Sequence, residues 1–190
     1  VIYELSNGNL LVGTEGGGVF EFNPQKQWIK RVFYNSSEPK SRDNNVTSIT
    51  KDANSNLWLG TDNGIFILNK EQFGKYKYIP SNPDVEKGIS SYSVTSLFTD
   101  NNSNVWIGTW EAGLNINYFQ QPRFSVFRYK PNTLQGLLSN KVTTLTVNDE
   151  QGVWVGSNFG LSYFNLKSGK IEHLINSNVA NKLGASNDFD

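Results

Sequence analysis

The chain has 190 residues and no cysteine, which excludes disulfides, zinc–thiolate sites and cysteine nucleophiles. Its 17 basic and 17 acidic residues cancel, so it lacks the charge excess expected of a protein that binds nucleic acid or an anionic membrane. No apolar run approaches the roughly 18 residues of a membrane-spanning helix, so direct membrane contact is not expected. Aromatic residues make up 13% of the chain, and the frequent Gly, Asn and Ser favour short strands joined by polar turns.

An internal repeat organises the chain, and its most complete copy is VTSLFTDNNSNVWIGTWEAGLNIN at residues 94–117. Residues 46–69 and 142–165 match it closely, and a weaker first copy lies at residues 1–23, where Leu11 replaces the Trp. Equivalent glycines recur 47 or 48 residues apart, at Gly13, Gly60, Gly108 and Gly156. A fixed period of this length indicates a repeat architecture. Because the sequence has no Met and begins inside a strand pattern, we expect it to be a piece of a longer protein.

Each copy contains four short apolar or aromatic runs separated by turns rich in Gly, Asn and Asp. This pattern predicts four antiparallel strands joined by hairpin turns, which is typical of one blade of a β-propeller. The predicted strands are 1–5, 10–14, 18–22 and 31–34 in the first blade, 46–51, 57–62, 65–69 and 76–79 in the second, 94–99, 105–109, 113–118 and 125–129 in the third, and 142–147, 153–157, 160–165 and 170–174 in the fourth.

The predicted fold is therefore all-β: a β-propeller fragment of about four four-stranded antiparallel blades. The blades are predicted at about 1–45, 46–93, 94–141 and 142–175, and residues 176–190 as a linker toward a next blade. Such an arc exposes an apolar blade face at each end, so pairing of two copies into a homodimer is expected.

The residues that recur in every copy have predicted structural roles. The Trp of the second strand is expected to pack between adjacent blades, at Trp58, Trp106 and Trp154. The glycine two residues later lets a neighbouring backbone or side chain approach closely. An Asp in the first turn is expected to accept hydrogen bonds from that turn, at Asp52, Asp100 and Asp149.

A ligand site is expected where the copies diverge, since turns can vary without disturbing the packing of the blades. In the turns between second and third strands, Trp110 stands where the other copies carry Glu15, Asp62 and Asn158. A Trp ring stacks on the C–H groups of a sugar, and the adjacent Glu111 accepts hydrogen bonds from hydroxyls. The alternative is that Trp110 packs on a neighbouring domain or caps its blade. The candidate ligand-binding residues are Trp110, Glu111, Asp62, Asn63, Asn158, Phe159 and Glu15.

The residues give little support to catalysis. The single histidine, His173, falls in a predicted outer strand, and one His without Cys forms neither a His cluster nor a catalytic triad. No catalytic residue, metal ligand or cofactor is predicted for this segment.

The copies VTSITKDANSNLWLGTDNGIFILN, VTSLFTDNNSNVWIGTWEAGLNIN and VTTLTVNDEQGVWVGSNFGLSYFN resemble two-component-regulator propeller repeats, and the linker PNTLQGLLSN at 131–140 is similar to those of the family. The resemblance implies seven-bladed propellers in the periplasmic sensor region of membrane-bound hybrid sensor histidine kinase/response regulators. It further implies that this segment is a non-enzymatic sensor for an oligosaccharide. Its other partners would then be further blades and domains of a histidine-kinase parent chain.

Two other functions stay open from the residues. One is a propeller with a purely structural or protein-interaction role. The other is a lyase-like propeller enzyme, which has comparable repeats but needs a His general base on the face that carries the variable turns, and His173 is not expected there.

Overall fold

The computed structural model describes residues 1–37, 41–69, 75–82, 88–120, 124–131, 133, 135–148 and 152–174. Within these residues, sixteen strands form four antiparallel sheets of four strands each, and a single 3-10 turn lies at Arg42–Asn44. Each sheet keeps its strands in sequence order, which follows from the short hairpin turns between them. The prediction of an all-β fold of four-stranded antiparallel blades is confirmed. The predicted linker at 176–190 lies outside the described residues.

The strands are β1 (Ile2–Glu4), β2 (Leu10–Thr14), β3 (Gly18–Asn23) and β4 (Trp28–Phe33) in the first blade, β5 (Val46–Lys51), β6 (Leu57–Thr61), β7 (Gly64–Leu68) and β8 (Tyr76–Ile79) in the second, β9 (Val94–Thr99), β10 (Val105–Thr109), β11 (Leu114–Asn117) and β12 (Phe124–Phe127) in the third, and β13 (Val142–Asn148), β14 (Gly152–Ser157), β15 (Gly160–Asn165) and β16 (Ile171–Leu174) in the fourth.

The largest difference from the predicted strands is in β4, which starts at Trp28 and not at residue 31. Asn23 pairs with Trp28 across a turn that Gln27 closes in the left-handed conformation, with φ of 52°. The charged Lys30 and Arg31 interrupt the apolar run, so the sequence pattern concealed the first half of this strand.

Adjacent blades interlock through a glycine of one and a valine of the next. A Cβ atom at Gly60 would lie 2.7 Å from Cγ1 of Val94, the first residue of the next blade. Gly108 and Val142 repeat this contact at the following interface, also at 2.7 Å. The repeated glycine therefore provides the close approach that the sequence predicted for it.

Threonine hydroxyls join the first strands of neighbouring blades. Thr47 Oγ1 donates to the Val94 carbonyl at 2.6 Å, and Thr95 Oγ1 donates to the Val142 carbonyl at 2.7 Å. The first strands are thus the ones that meet between blades, which leaves each fourth strand on the outside.

Two of the three repeated tryptophans are buried between blades, as predicted, whereas Trp154 is only half-buried. Trp58 and Trp106 are 5% and 1% exposed, and each packs with residues of the following blade. Their indole N–H groups donate to Asp52 Oδ2 at 3.0 Å and to Asp100 Oδ2 at 2.8 Å. These two aspartates also accept from the backbone of their own turns, as the sequence predicted, whereas Asp149 lies outside the described residues.

Among the described residues, three apolar clusters form the core, one in each interface between blades. The first interface has no Trp, because the second strand of the first blade carries Leu11, which is fully buried. Phe33 supplies an aromatic ring there, 5.0 Å from the ring of Phe66. Leu11 and Phe33 therefore stand where the second blade uses Trp58 and Ile79.

The antiparallel order places two kinds of loop at one edge of every blade. The turn between the second and third strands and the connector to the next blade emerge together, and we call this edge the loop face. Its turns are at 15–17, 62–63, 110–113 and 158–159, and its connectors run through the described parts of 34–45, 80–93 and 128–141.

Candidate functional site

All seven candidate residues lie in second–third turns, and therefore on the loop face. Trp110 and Glu111 share one turn, and Asp62 and Asn63 share another. The remaining candidates, in the turns of the first and fourth blades, are Glu15, Asn158 and Phe159. The described contacts separate residues that hold the blades together from residues that face solvent.

Asp62 ties two connectors to its own turn. Its Oδ2 accepts from Asn45 Nδ2 and its Oδ1 accepts from Ser93 Oγ, both at 3.1 Å. Its backbone N–H donates to the Asn45 carbonyl at 3.3 Å. Asn45 precedes the first strand of the second blade and Ser93 precedes that of the third, so Asp62 stabilises the junction between these blades.

Asn63 is also held within the protein. Its Nδ2 donates to Asp43 Oδ1 at 2.6 Å, and Asp43 Oδ2 accepts from Asn35 Nδ2 at 2.6 Å. Asp43 is only 6% exposed, so these bonds satisfy a carboxylate that would otherwise be costly to bury. The Asn63 carbonyl accepts from the Tyr78 hydroxyl at 2.8 Å.

Trp110 occupies the equivalent junction in the third blade and behaves differently. Its backbone N–H donates to the Ser93 carbonyl at 3.1 Å. Lys141, which precedes the first strand of the fourth blade, places Nζ 3.4 Å from the centroid of the indole ring. This cation–π contact restrains the indole, yet 43% of the Trp110 surface stays exposed. The third blade therefore presents a restrained, accessible aromatic ring where the second blade has a hydrogen-bonded carboxylate.

The other candidate residues of the third and fourth blades face solvent. Glu111 is exposed beside Trp110, as is Asn158 in the next blade. The Phe159 side chain is 50% exposed, and its backbone N–H donates to the Ser157 hydroxyl at 3.4 Å. Glu15, in the first blade, is exposed as well.

Tyr92 is a further exposed aromatic residue of the loop face that the sequence reasoning missed. Its side chain is 61% exposed, and its carbonyl accepts from the Gly64 N–H at 2.6 Å. It directly precedes Ser93, to which the Trp110 backbone is bonded. The other copies carry Asn44 and Asn140 at this position, so the departure from the repeat that singled out Trp110 could also have found Tyr92.

The buried side-chain amide of Asn115 helps to fix the position of the Trp110 turn. Asn115 is fully buried, at a position where the second blade carries Phe66. Its Oδ1 accepts from the Ser90 N–H at 3.0 Å and its Nδ2 donates to Ser90 Oγ at 2.9 Å. Ser90 Oγ in turn lies 3.1 Å from the Ala112 carbonyl, to which it donates. The turn that carries Trp110 is thus fastened to the connector beside it.

The ionisation of Tyr78 is predicted to make the stability of the fold depend on pH. Burial raises the pKa of Tyr78 above the ordinary value of 10.0. Electrostatic repulsion from Asp43 and from Tyr92 raises this pKa further. A group whose folded pKa is raised stabilises the fold fully below its unfolded pKa and loses that contribution as the pH rises through the folded pKa. We therefore expect the free energy of unfolding to fall above about pH 10, and to fall less in Tyr78→Phe.

Urea unfolding at about pH 9 and about pH 11 measures this difference. Tyr76→Phe, on the same strand, is the matched control. If Tyr78→Phe and the unaltered chain lose the same free energy of unfolding over this interval, Tyr78 is not the source of the dependence.

His173 lies on β16, the outer strand of the fourth blade, with Nδ1 3.0 Å from Ser162 Oγ of the adjacent strand. It lies on the outermost strand of its blade, one residue before that strand ends, and is not part of a second–third turn. In the part of the chain that the structure describes, no group of three His, Asp or Glu side chains is placed to hold a metal ion. The same residues contain no helix long and apolar enough to span a membrane.

Two stretches of the repeat are similar to a known family. Residues 40–63 and 88–111 match the family model described as two component regulator propeller. No curated protein matches the chain.

Among solved structures, the chain is similar to the extracellular domain of a hybrid two component system from B. thetaiotaomicron, with 30% identity and a TM-score of 0.60 over 68% of this chain and 18% of that one. A second such domain from the same organism has 21% identity and a TM-score of 0.69, over 85% and 20% of the two chains. Virginiamycin B lyase from Staphylococcus aureus has 14% identity and a TM-score of 0.66, over 93% and 55%.

These similarities carry different weight. The second domain and the lyase are distant in sequence and show a common fold alone. The chain spans about a fifth of the length of the two extracellular domains, since it covers 18% and 20% of them.

Proposed function

This chain carries two-component regulator propeller repeats, and we propose that it is part of the extracytoplasmic sensor region of a hybrid two-component regulator and binds an oligosaccharide. The matched repeats and the 30% identity to an extracellular domain of such a system support this assignment. The proposed location is the periplasm, as part of an inner-membrane protein whose kinase domain lies elsewhere in the parent chain. The segment itself then acts by binding and not by catalysis.

The observation that carries the ligand proposal is the exposed indole of Trp110. Aromatic rings bind sugars through their apolar faces, and Trp110 is accessible while Lys141 and the backbone bond to Ser93 restrain it. A restrained side chain loses less conformational entropy when a ligand binds. Glu111, in the same turn, adds a carboxylate that accepts hydrogen bonds from hydroxyl groups. Asn158 and Phe159, on the next blade, extend the proposed surface.

Signalling in this proposal follows from differential binding. A ligand shifts a conformational equilibrium only by as much as it prefers one state over the other. A saccharide on the loop face contacts both a turn and the connector that leads to the next blade. Its binding energy would therefore favour one arrangement of this propeller relative to the neighbouring blades and domains of the parent chain, or one geometry of a receptor homodimer.

The ligand proposal predicts the outcome of a calorimetric titration of the intact extracytoplasmic region against a panel of defined oligosaccharides. We expect one class to bind, and Trp110→Ala to weaken its binding by about 1–3 kcal/mol because a central aromatic contact is lost. Trp28→Ala is the matched control, since Trp28 is also partly exposed, at 37%, but lies on the outer strand of the first blade.

Binding that Trp110→Ala retains in full would place the saccharide site on other blades and contradict the assignment to this turn. No binding across the panel would favour the second candidate function, a protein-interaction surface. The exposed aromatic side chains of Tyr92, Trp110 and Phe159 support that alternative, since aromatic residues are enriched in protein interfaces.

A further inference from the structure

A cleft of about 590 Å³ lies between the outer parts of the third and fourth blades. Its lining includes three cationic side chains, Arg128, Lys130 and Lys170, and one carboxylate, Glu172. Arg128 and Lys130 follow β12 in the connector, whereas Lys170 directly precedes β16. These residues are scattered in sequence, and the pairing of the two blades brings them together.

The cleft adjoins the Trp110 turn. A Cβ atom at Gly113, the last residue of that turn, would come within 3.2 Å of Arg128 Cγ, so the arginine side chain passes directly beside the turn. On the other side of the turn, Lys141 lies over the Trp110 ring. Arg128 therefore links the cleft to the turn that carries the exposed indole, and we treat the cleft and this turn together as one candidate surface.

The charge of this surface is positive although the charge of the whole chain is zero. Its described cations are Arg128, Lys130, Lys141 and Lys170, and the acidic side chains beside them are Glu111 and Glu172. An excess of like charge at one place disfavours the unliganded state and attracts an anion. Arginine in addition binds carboxylate and sulfate groups through two parallel hydrogen bonds.

The cleft also has apolar walls and an open mouth. Val126, Phe127 and Ile171 contribute apolar surface between the charged groups. Gly169, at the rim, has no atom within 4 Å of the position of a Cβ atom, so the entrance is unobstructed there. A ring-shaped body that carries an anionic group matches this lining better than a small inorganic anion, which would leave the apolar walls unused.

We propose that the ligand is an acidic saccharide, whose carboxylate or sulfate group binds Arg128, Lys130 and Lys170 in this cleft while a neighbouring sugar ring stacks on Trp110. The inference rests on the proposed saccharide-binding function and names the chemical class of its ligand. The cleft supplies the affinity for the anionic group, and Trp110 supplies the contact with the sugar ring.

The test compares ligands that differ only in charge. The intact extracytoplasmic region is titrated with an oligogalacturonate and with its methyl ester, which has the same skeleton without the charge. A second arm uses a sulfated oligosaccharide and its desulfated form, and so distinguishes carboxylate from sulfate. In one arm the charged member is expected to bind at least about tenfold more tightly, because hydrogen bonds to charged groups are the stronger ones.

Variants then locate the anion. Lys130→Ala combined with Lys170→Ala is expected to weaken binding of the charged ligand by about 10-fold to 100-fold. It should leave the affinity for the neutral form unchanged, and added salt should reduce the difference between the two forms. Lys30→Ala combined with Lys77→Ala removes two exposed lysines from outer strands of the first two blades and is the matched control. All four side chains are exposed, so the variants should fold, and thermal unfolding verifies this.

Equal binding of charged and neutral forms would overturn the inference and leave the saccharide proposal intact. A charge preference that survives the Lys130 and Lys170 substitutions would place the anion elsewhere and also overturn it. If none of the four ligands binds and the broader panel fails as well, the proposed function fails together with the inference.

Discussion

Replacing Trp106 with alanine is expected to lower the free energy of unfolding by about 3–5 kcal/mol, the range measured when a buried aromatic side chain is removed. Trp106 is 1% exposed and packs against Phe164 of the next blade, with ring centroids 5.1 Å apart. Its removal would leave a cavity between two blades and would also break the bond to Asp100. Because the stability of a domain is itself only about 5–15 kcal/mol, this loss would be a large fraction of the total.

Denaturant unfolding followed by tyrosine and tryptophan fluorescence measures this loss. Trp154→Ala is the matched control, since Trp154 occupies the same position in the fourth blade but is less buried in this chain. We expect a smaller effect there. Equal effects of the two substitutions would show that burial between blades is not what makes Trp106 important.

Gly60→Val is expected to destabilise the chain by about 3 kcal/mol, at the upper end of the range for overpacked cores. A Cβ atom at this position would lie 2.5 Å from Ser48 Oγ and 2.7 Å from Val94 Cγ1, and valine adds two further methyl groups. The backbone itself does not resist the change, since valine favours strands. The loss would therefore report the interlocking of the second and third blades.

The control is Gly156→Val, at the equivalent position of the fourth blade. The atoms nearest to a Cβ there belong to Thr143 and Thr144, which are exposed on the same blade. We expect the two variants to differ by at least about 1 kcal/mol in the midpoint-derived free energy of unfolding. Similar losses would contradict the view that the valine of the following blade makes this glycine necessary.

The strand order and the packing of the repeated residues could be predicted from the sequence because they recur with a fixed period. Four copies of one pattern let weak local signals reinforce one another, so Trp58 and Trp106 could be placed between blades before any coordinates were known. The start of β4 could not, because its charged residues hide the alternation and its turn depends on the left-handed conformation of Gln27, a residue with no turn preference. The hydrogen bonds from Trp58 and Trp106 to the aspartates six residues earlier were not predicted, because the sequence pattern gave the Trp and the Asp separate roles.

The candidate site was less predictable, because it depends on contacts between blades. The sequence placed Asp62 and Trp110 at equivalent positions but gave no sign that Asp62 would bridge two connectors or that Lys141 would lie over the indole. Residues such as Lys130 and Lys170 are 40 positions apart in sequence and share a cleft only through the pairing of the third and fourth blades. Departure from the repeat is the signal that singled out Trp110, and applied to every loop position it would also have singled out Tyr92.

The central claim is that the loop face of the third blade binds a saccharide, and hydrogen–deuterium exchange of the intact extracytoplasmic region tests it most directly. The region is compared with and without the tightest-binding oligosaccharide of the panel. We predict slower exchange of the Trp110 and Gly113 amides, which bond to the Ser93 and Asn140 carbonyls, and of the connector at 135–141. Protection confined to other blades, or to the opposite edge of these blades, would contradict the account.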